Sequence, residues 1–183
     1  MPLYTPKTPN KKHLRASAAA ECLCEKMKNI NIRTGLESDL PQVLALVKEL
    51  AAYEKAPLEV DVTLREMQNW GFGKNKIFEF FVAETENKIV GIALYYYKYS
   101  TWKGKCLFLE DIIVTEKFRR YGLGSKLFHE VTLVAKKKKV RRMEWQVLDW
   151  NEPALNFYKK YNSHFDGEWV NCKLTLKQLQ DYK

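Results

Sequence analysis

The chain is predicted to adopt one mixed α/β fold, a mostly antiparallel central sheet flanked by helices. Three observations predict it. Strand-like apolar runs crowd together between Phe78 and Val114. A long segment with helical apolar periodicity follows from Gly122. A further apolar run and a short helical pattern then occupy Arg142 to Tyr161. The order is an antiparallel group flowing into a strand–helix–strand unit. A length of 183 residues suffices for one domain with a sizeable core, and 46% hydrophobic with 29% charged residues is ordinary for a soluble globular protein.

Residues 1–28 are expected to be an extension outside the fold, and residues 29–183 the domain. The extension carries Pro2, Pro6 and Pro9, then Lys11-Lys12, then an Ala-rich stretch. Arg15 to Lys28 has a helical pattern with a thin apolar face, and Met27 is a candidate start. Acidic residues are absent before Glu21, which admits an amphipathic transit peptide as an alternative.

The domain is expected to open with a strand at Asn31-Ile32-Arg33. Asp39 or Ser38 then caps a helix with Pro41 in its first turn and an apolar stripe of Leu40, Val43, Leu44, Val47, Leu50 and Ala51. A second helix runs from Thr63 to Trp70 and ends at Gly71. Strands follow at Phe78 to Glu84 and Ile89 to Tyr97, joined by a turn at Glu86-Asn87-Lys88. The third strand of the group is Lys105 to Val114. The long helix spans Gly122 to Lys138, with Leu123, Leu127, Phe128, Val131 and Val134 on its apolar face. A strand at Arg142 to Leu148, a helix at Pro153 to Tyr161, a last strand at Trp169 to Thr175 and a tail helix at Leu176 to Tyr182 complete the chain.

Composition narrows the function. No apolar run approaches a membrane span, and no basic-then-apolar secretory layout opens the chain. Cys22, Cys24, Cys106 and Cys172 lack paired metal spacing, so no metal is expected, and Cys106 reads as a reduced buried thiol in a cytoplasmic protein. The formal charge of +9 raises nucleic-acid binding. Its densest patch, Lys136 to Arg142, has no interleaved aromatics and lies where cations complement a helix C-terminus. A solvated helix end is therefore the reading, and nucleic acid is not expected as a partner.

The stretch that carries chemistry is Arg119-Arg120-Tyr121-Gly122-Leu123-Gly124-Ser125. Two glycines one residue apart, between an apolar strand and a helix, let a backbone approach a ligand with its N–H groups outward. A helix start offers unpaired donors and partial positive charge, which suit a pyrophosphate. A dinucleotide fingerprint would need Gly or Ala where Leu127 stands, and a P-loop would need Gly where Arg119 stands. The bland alternative is a Gly-relaxed helix start with exposed basic neighbours.

The remaining pattern, Arg-x-x-Gly-x-Gly, resembles the pyrophosphate-binding turn of the GNAT superfamily of acyl-CoA N-acetyltransferases. Leu109-Glu110-Asp111-Ile112-Ile113-Val114, the run Val147 to Lys159, the helix Val47 to Glu54, Gly71-Phe72-Gly73 and Tyr99 to Gly104 resemble one branch of it, the thialysine and spermidine/spermine acetyltransferases. The resemblance covers about Ile30 to Trp169 and implies the GNAT fold, acetyl-CoA as co-substrate, and a small amine as acceptor.

Acetyl transfer to an amine requires removal of an ammonium proton, stabilisation of the thioester oxygen and a proton for the leaving sulfur. Glu110, set among apolar residues in mid-strand, is the candidate for the first task; pairing with a nearby cation is the alternative. Asp111 is expected on the opposite strand face in a structural role. Tyr158 is the candidate acid, since a phenol near pH 10 matches a thiol leaving group; a core tyrosine is the alternative. The resemblance implies that a backbone N–H within Ile112, Ile113 and Val114 meets the carbonyl oxygen, where the strand splays from its neighbour. It implies cofactor contacts at Arg119, Arg120, Tyr121, Gly122, Leu123, Gly124 and Ser125. Asn151 either contacts coenzyme A, caps its helix, or does both. For the acceptor it implies Tyr53, Glu54 and Glu110, with Ser100-Thr101 and Leu148-Asp149 biasing the choice towards a thialysine-like diamino acid over a polyamine. Glu168 is a further acidic candidate for the acceptor, and a homodimer is expected. Protein lysine or N-terminal acetylation, and a non-catalytic acyl-CoA-binding or nucleic-acid-associated module, are the competing readings.

Overall fold

The computed structural model describes residues 29–183. The expected extension, its helix at Arg15 to Lys28, and Cys22 and Cys24 lie outside the described residues. The chain divides into two compact units, one ending at Trp145 and the other spanning Gln146–Lys183.

The first unit is a five-stranded sheet in the order of the sequence. Its elements are β1 (Asn31–Thr34), α1 (Leu40–Tyr53), α2 (Leu64–Phe72), β2 (Glu79–Thr85), β3 (Lys88–Ser100), β4 (Gly104–Val114), α3 (Leu123–Lys137) and β5 (Met143–Glu144). Strands β1 to β4 pair antiparallel, and β5 joins β4 in parallel. One face buries Phe80, Val82, Ile92, Leu94 and Ile113 against Leu40, Val43 and Leu46 of α1 and Met67 of α2. Leu46 belongs to this core although the predicted stripe omits it. The opposite face receives α3. There a Cβ on Gly91 would stand 3.2 Å from a Leu127 methyl and 2.9 Å from the Ile113 carbonyl oxygen, so only glycine permits this helix-to-sheet approach.

Local departures from the predicted elements have identifiable causes. Asp39 does not cap α1 with its side chain. Its carboxylate instead accepts from the Leu36 N–H at 2.8 Å and from both terminal nitrogens of Arg33, at 2.7 and 2.9 Å. Arg33 also donates to Glu84 at 2.7 Å, so the pair fastens the helix start to β1 and β2. Helix α2 does not stop at Gly71. It is opened by a reciprocal Thr63–Glu66 cap, continues through Phe72, and ends at Gly73. Strand β3 extends to Ser100, because its pairing with β4 runs out to the hairpin tip.

Two strands fall short. The stretch expected at Arg142 to Leu148 is reduced to Met143–Glu144, which pair only with Leu107 and Phe108. Trp169 to Thr175 forms no strand. It belongs to the second unit, where α4 (Glu152–Lys159) and α5 (Leu176–Gln180) are the regular elements. Within that unit Gln146 donates to Asn171 at 2.7 Å, and Phe157 packs edge-on against Tyr158 and Tyr161. Trp169, Val170 and Leu174 are 71%, 85% and 56% exposed. Strand propensity alone does not make a strand when no edge pairs with the segment.

Candidate active site

Strand β4 carries the first part of the site. Register with β3 steps from Leu109 opposite Tyr95 to Asp111 opposite Leu94, leaving Glu110 as an extra residue in a β-bulge. This corrects two expectations. Glu110 is exposed and stands at an irregularity of the ladder. Asp111 does not point to the opposite face from Glu110. The bulge shifts the alternation, so Asp111 shares a sheet face with Leu94, which packs towards α1, and its charge environment is set by Glu110 and Glu54 together.

Glu54 reaches this cluster from the end of α1. The helix closes with Lys55 left-handed at φ 63, Ala56 N–H bonded to the Ala51 carbonyl and Lys55 N–H to the Ala52 carbonyl. That is a Schellman closure, and it fixes Glu54 as the half-buried C-cap residue that follows the helix. Glu110 and Glu54 both bring their charge to bear on Asp111. The Asp111 carboxyl is pushed up to about 6, by burial first and then by the charges of Glu110 and Glu54. Burial also raises the Glu54 carboxyl. The Tyr96 hydroxyl is raised by burial, by the charge of Glu110 and by its hydrogen bond to Glu110. A concentration of negative charge held this way attracts an ammonium ligand.

The second part is the outer edge of β4. Strand β5 ends beside Phe108, and among the described residues no strand pairs with that edge from Leu109 to Val114. Thr115 N–H bonds back to Val90 of β3 at 2.9 Å. Antiparallel alternation therefore turns the N–H groups of Ile112 and Val114 towards the open edge. An extended polar ligand can add to that edge as a strand would.

The third part is the turn. Arg120 at φ 68 and Gly122 at φ 80 are both left-handed, and Gly122 starts α3 with no side-chain cap. A Cβ on Gly122 would meet nothing within 4 Å, so the space before the helix is open. The first-turn N–H groups of α3 face it. Arg120 and Tyr121 are exposed beside the turn. Arg119 is engaged differently. Its Nε donates to the Val114 carbonyl at 2.8 Å, its Nη2 lies 3.6 Å from Glu49, and its guanidinium sits 5.0 Å from the Tyr53 ring centroid. Its side chain braces the fold, a partnership that spacing in the sequence gave no sign of.

The remaining residues stand apart from this cluster or in the second unit. Ser100 Oγ accepts from the N–H groups of Trp102 and Lys103 at 3.3 and 3.2 Å, closing the β3–β4 hairpin, and Thr101 lies at the exposed tip. Gly104 is six residues before Glu110 along β4, about 20 Å at the usual strand rise. The structure does not bring Ser100 and Thr101 to the carboxylates. In the second unit Tyr158 is 4% exposed. Asn151 is buried and caps α4 by accepting from Ala154 N–H at 3.3 Å. Leu148 and Asp149 are exposed in the turn before α4, and Glu168 is exposed beyond it. Cys106 is a free buried thiol, and among the described residues no group of side chains is arranged to hold a metal. No helix among them is long and apolar enough to cross a membrane.

Comparisons with known proteins point to one family. The profile of the acetyltransferase (GNAT) family matches residues 43–162. A thialysine N-epsilon-acetyltransferase of Bos taurus is 38% identical over 141 residues, covering 73% of this chain and 83% of that protein. A thialysine N-epsilon-acetyltransferase of Caenorhabditis elegans is 36% identical over 132 residues, covering 72% and 81%. Among solved structures, an aminoglycoside acetyltransferase from an uncultured soil metagenomic sample superposes with a TM-score of 0.68 at 23% identity, over 81% of this chain and 97% of that one, which speaks to fold alone.

Proposed function

The chain belongs to the acetyltransferase (GNAT) family, and from that premise we propose that it transfers the acetyl group of acetyl-CoA to the side-chain amine of a thialysine- or lysine-like diamino acid. The observation that carries the reading is the carboxylate cluster of Glu54, Glu110 and Asp111 beside the open edge of β4. Relatives that act on thialysine support the choice of acceptor over a polyamine. Acetyl-CoA supplies the activated acyl group as a thioester; the rest is done by side chains and backbone of this chain.

The cluster holds the ammonium, and exposed Glu110 takes its proton directly or through water. Asp111, with its carboxyl near 6, shares that duty by keeping the site anionic at neutral pH. The N–H of Ile112 or Val114 receives the developing negative charge of the carbonyl oxygen. Tyr158 gives a proton to the leaving sulfur. The Gly122-Leu123-Gly124-Ser125 backbone, with Arg120 and Tyr121 alongside, receives the pyrophosphate. Asn151 is assigned to cofactor binding besides capping its helix, and Leu148 and Asp149 are assigned to acceptor choice by their motif positions. Ser100 and Thr101 lie at the hairpin tip, away from the carboxylates, and take no part in this acceptor site. The exposed Trp169, Val170 and Leu174 support a homodimer in which a second copy covers them, and the buried reduced Cys106 suits a cytoplasmic enzyme.

Steady-state turnover of acetyl-CoA against thialysine, lysine, spermidine and a histone-tail peptide tests the reading. A higher kcat/KM for thialysine than for spermidine is expected. The reverse order would replace the acceptor, and preference for the peptide would favour protein acetylation. Tyr158→Phe should lower kcat by about 100-fold or more while coenzyme A affinity by calorimetry is retained. Gly122→Val should abolish coenzyme A binding in a folded protein, because its left-handed φ and open approach are both lost.

A further inference from the structure

Glu49 has no part in the mechanism above, yet it joins the elements that mechanism needs. It lies on α1, one turn before Tyr53 and Glu54. Its Oε1 accepts from the backbone N–H of Glu116 at 3.2 Å and stands 3.6 Å from Arg119 Nη2. Arg119 in turn holds the Val114 carbonyl at 2.8 Å and covers the Tyr53 ring at 5.0 Å. One ion pair therefore ties together the helix end, the last residue of β4, the 3-10 turn Glu116–Phe118 and the start of the anion-receiving turn.

That turn requires bracing. Arg120 and Gly122 are left-handed within three residues, at φ 68 and 80, and Arg120 has a side chain that disfavours it. Gly122 gives α3 no side-chain cap. A backbone in this state persists where its surroundings over-determine it. Arg119, which immediately precedes it, is fixed by partners inside the fold, and Glu49 supplies the charge that fixes both Arg119 and the preceding Glu116 amide.

We propose that Glu49 is a positioning residue for acetyl-CoA: through Arg119 and the Glu116 N–H it keeps residues 119–125 in the shape that receives the pyrophosphate. The proposal rests on the cofactor reading above. It makes a prediction of unusual sign. By charge alone, removing a carboxylate near a polyphosphate ligand should tighten binding. By bracing, the same change should weaken it.

Calorimetry of coenzyme A with the full chain and with Glu49→Gln, Glu49→Asp, Arg119→Lys and the double variant Glu49→Gln/Arg119→Lys separates the two. Glu49→Gln should weaken coenzyme A about fivefold or more. It should raise KM for acetyl-CoA and leave kcat at saturation within about twofold, since the residue acts on binding geometry. The double variant should bind within about twofold of Arg119→Lys alone, because the pair acts as one unit. Glu49→Asp keeps the charge and should recover part of the affinity even if Glu49→Gln folds poorly in thermal melts. Coenzyme A binding that is unchanged or tighter in folded Glu49→Gln, or losses that add in the double variant, would overturn the proposal. A wild-type chain that binds no coenzyme A would overturn the cofactor reading itself, and this proposal with it.

Discussion

The two halves of β4 obey different rules. From Gly104 to Leu109 the strand pairs with β3 throughout and with β5 at Leu107 and Phe108, and it buries Cys106, Leu107 and Leu109 almost completely. From Glu110 to Val114 it carries a bulge, two adjacent acids and an edge that has no strand partner among the described residues. The first half lowers free energy by removing apolar surface from water, about 25 cal/mol per Å². The second half tolerates crowded carboxylates that burial penalises. One strand thus anchors the sheet and carries the carboxylates of the proposed site, and the bulge is the point where one use gives way to the other.

Breaking the second half should show most strongly in rate. Glu110→Gln keeps the side-chain shape and removes the proposed base, so kcat/KM should fall about 100-fold or more. Glu110 is exposed, so stability should stay within about 0.5 kcal/mol. Stopped-flow or endpoint thiol release and urea melts measure the two quantities. An unimpaired rate would transfer the duty to Asp111.

Breaking the first half should do the opposite. Leu107 is 0% exposed, and Leu107→Ala should cost about 2–5 kcal/mol through lost burial and the cavity left behind. Its kcat at a temperature where it remains folded should change little. A large kcat defect in folded Leu107→Ala would mean that the halves are not separable.

Asp111 tests the boundary through pH. Its carboxyl is raised to about 6 from 3.8, so the folded state binds more protons than the unfolded state between those values. Stability therefore falls as pH rises through that window and the penalty is complete above it, about 2–3 kcal/mol at most. Asp111→Asn should raise Tm at pH 8 by several degrees relative to its effect at pH 4. The amine KM should fall as pH rises from about 5 to 7 in the wild type, as the cluster gains charge, and this dependence should flatten in the variant. A Tm difference that is the same at both pH values would deny the raised carboxyl.

The same strand shows what the sequence disclosed. Periodicity located every strand of the antiparallel group, and the glycine spacing located the turn, because apolar patterning and backbone permissiveness are local properties. The bulge was not legible, although two acids between Leu109 and Ile112 break strict alternation and were the available sign. Sequence treated Glu110 and Asp111 as opposite faces because period two holds only in a regular ladder. Arg119 was assigned to the cofactor by its motif position, while its partners Glu49, Tyr53 and Val114 come from tertiary packing that no spacing encodes. Trp169 to Thr175 failed for a related reason, since a strand is a pairing and a single segment specifies only one side of it.

The smallest expected effect lies at the hairpin tip, at the start of the buried half. Ser100 Oγ accepts two backbone N–H groups and lies 3.4 Å from Arg142 Nη2. Ser100→Ala removes an acceptor from partly solvated donors, so it should cost about 0.5–1.5 kcal/mol. If the tip acts only by closing the hairpin, the ratio of kcat/KM for thialysine over spermidine should not move, because about 20 Å of strand separates Gly104 from Glu110. If the ratio does move at constant fold, the hydroxyl meets the acceptor, and the geometry then requires a route to the site other than along its own strand. A second copy of the chain is the available source. Measuring the ratio together with mass by light scattering at micromolar concentration would decide between a purely structural serine and one that serves the site of a neighbouring protomer.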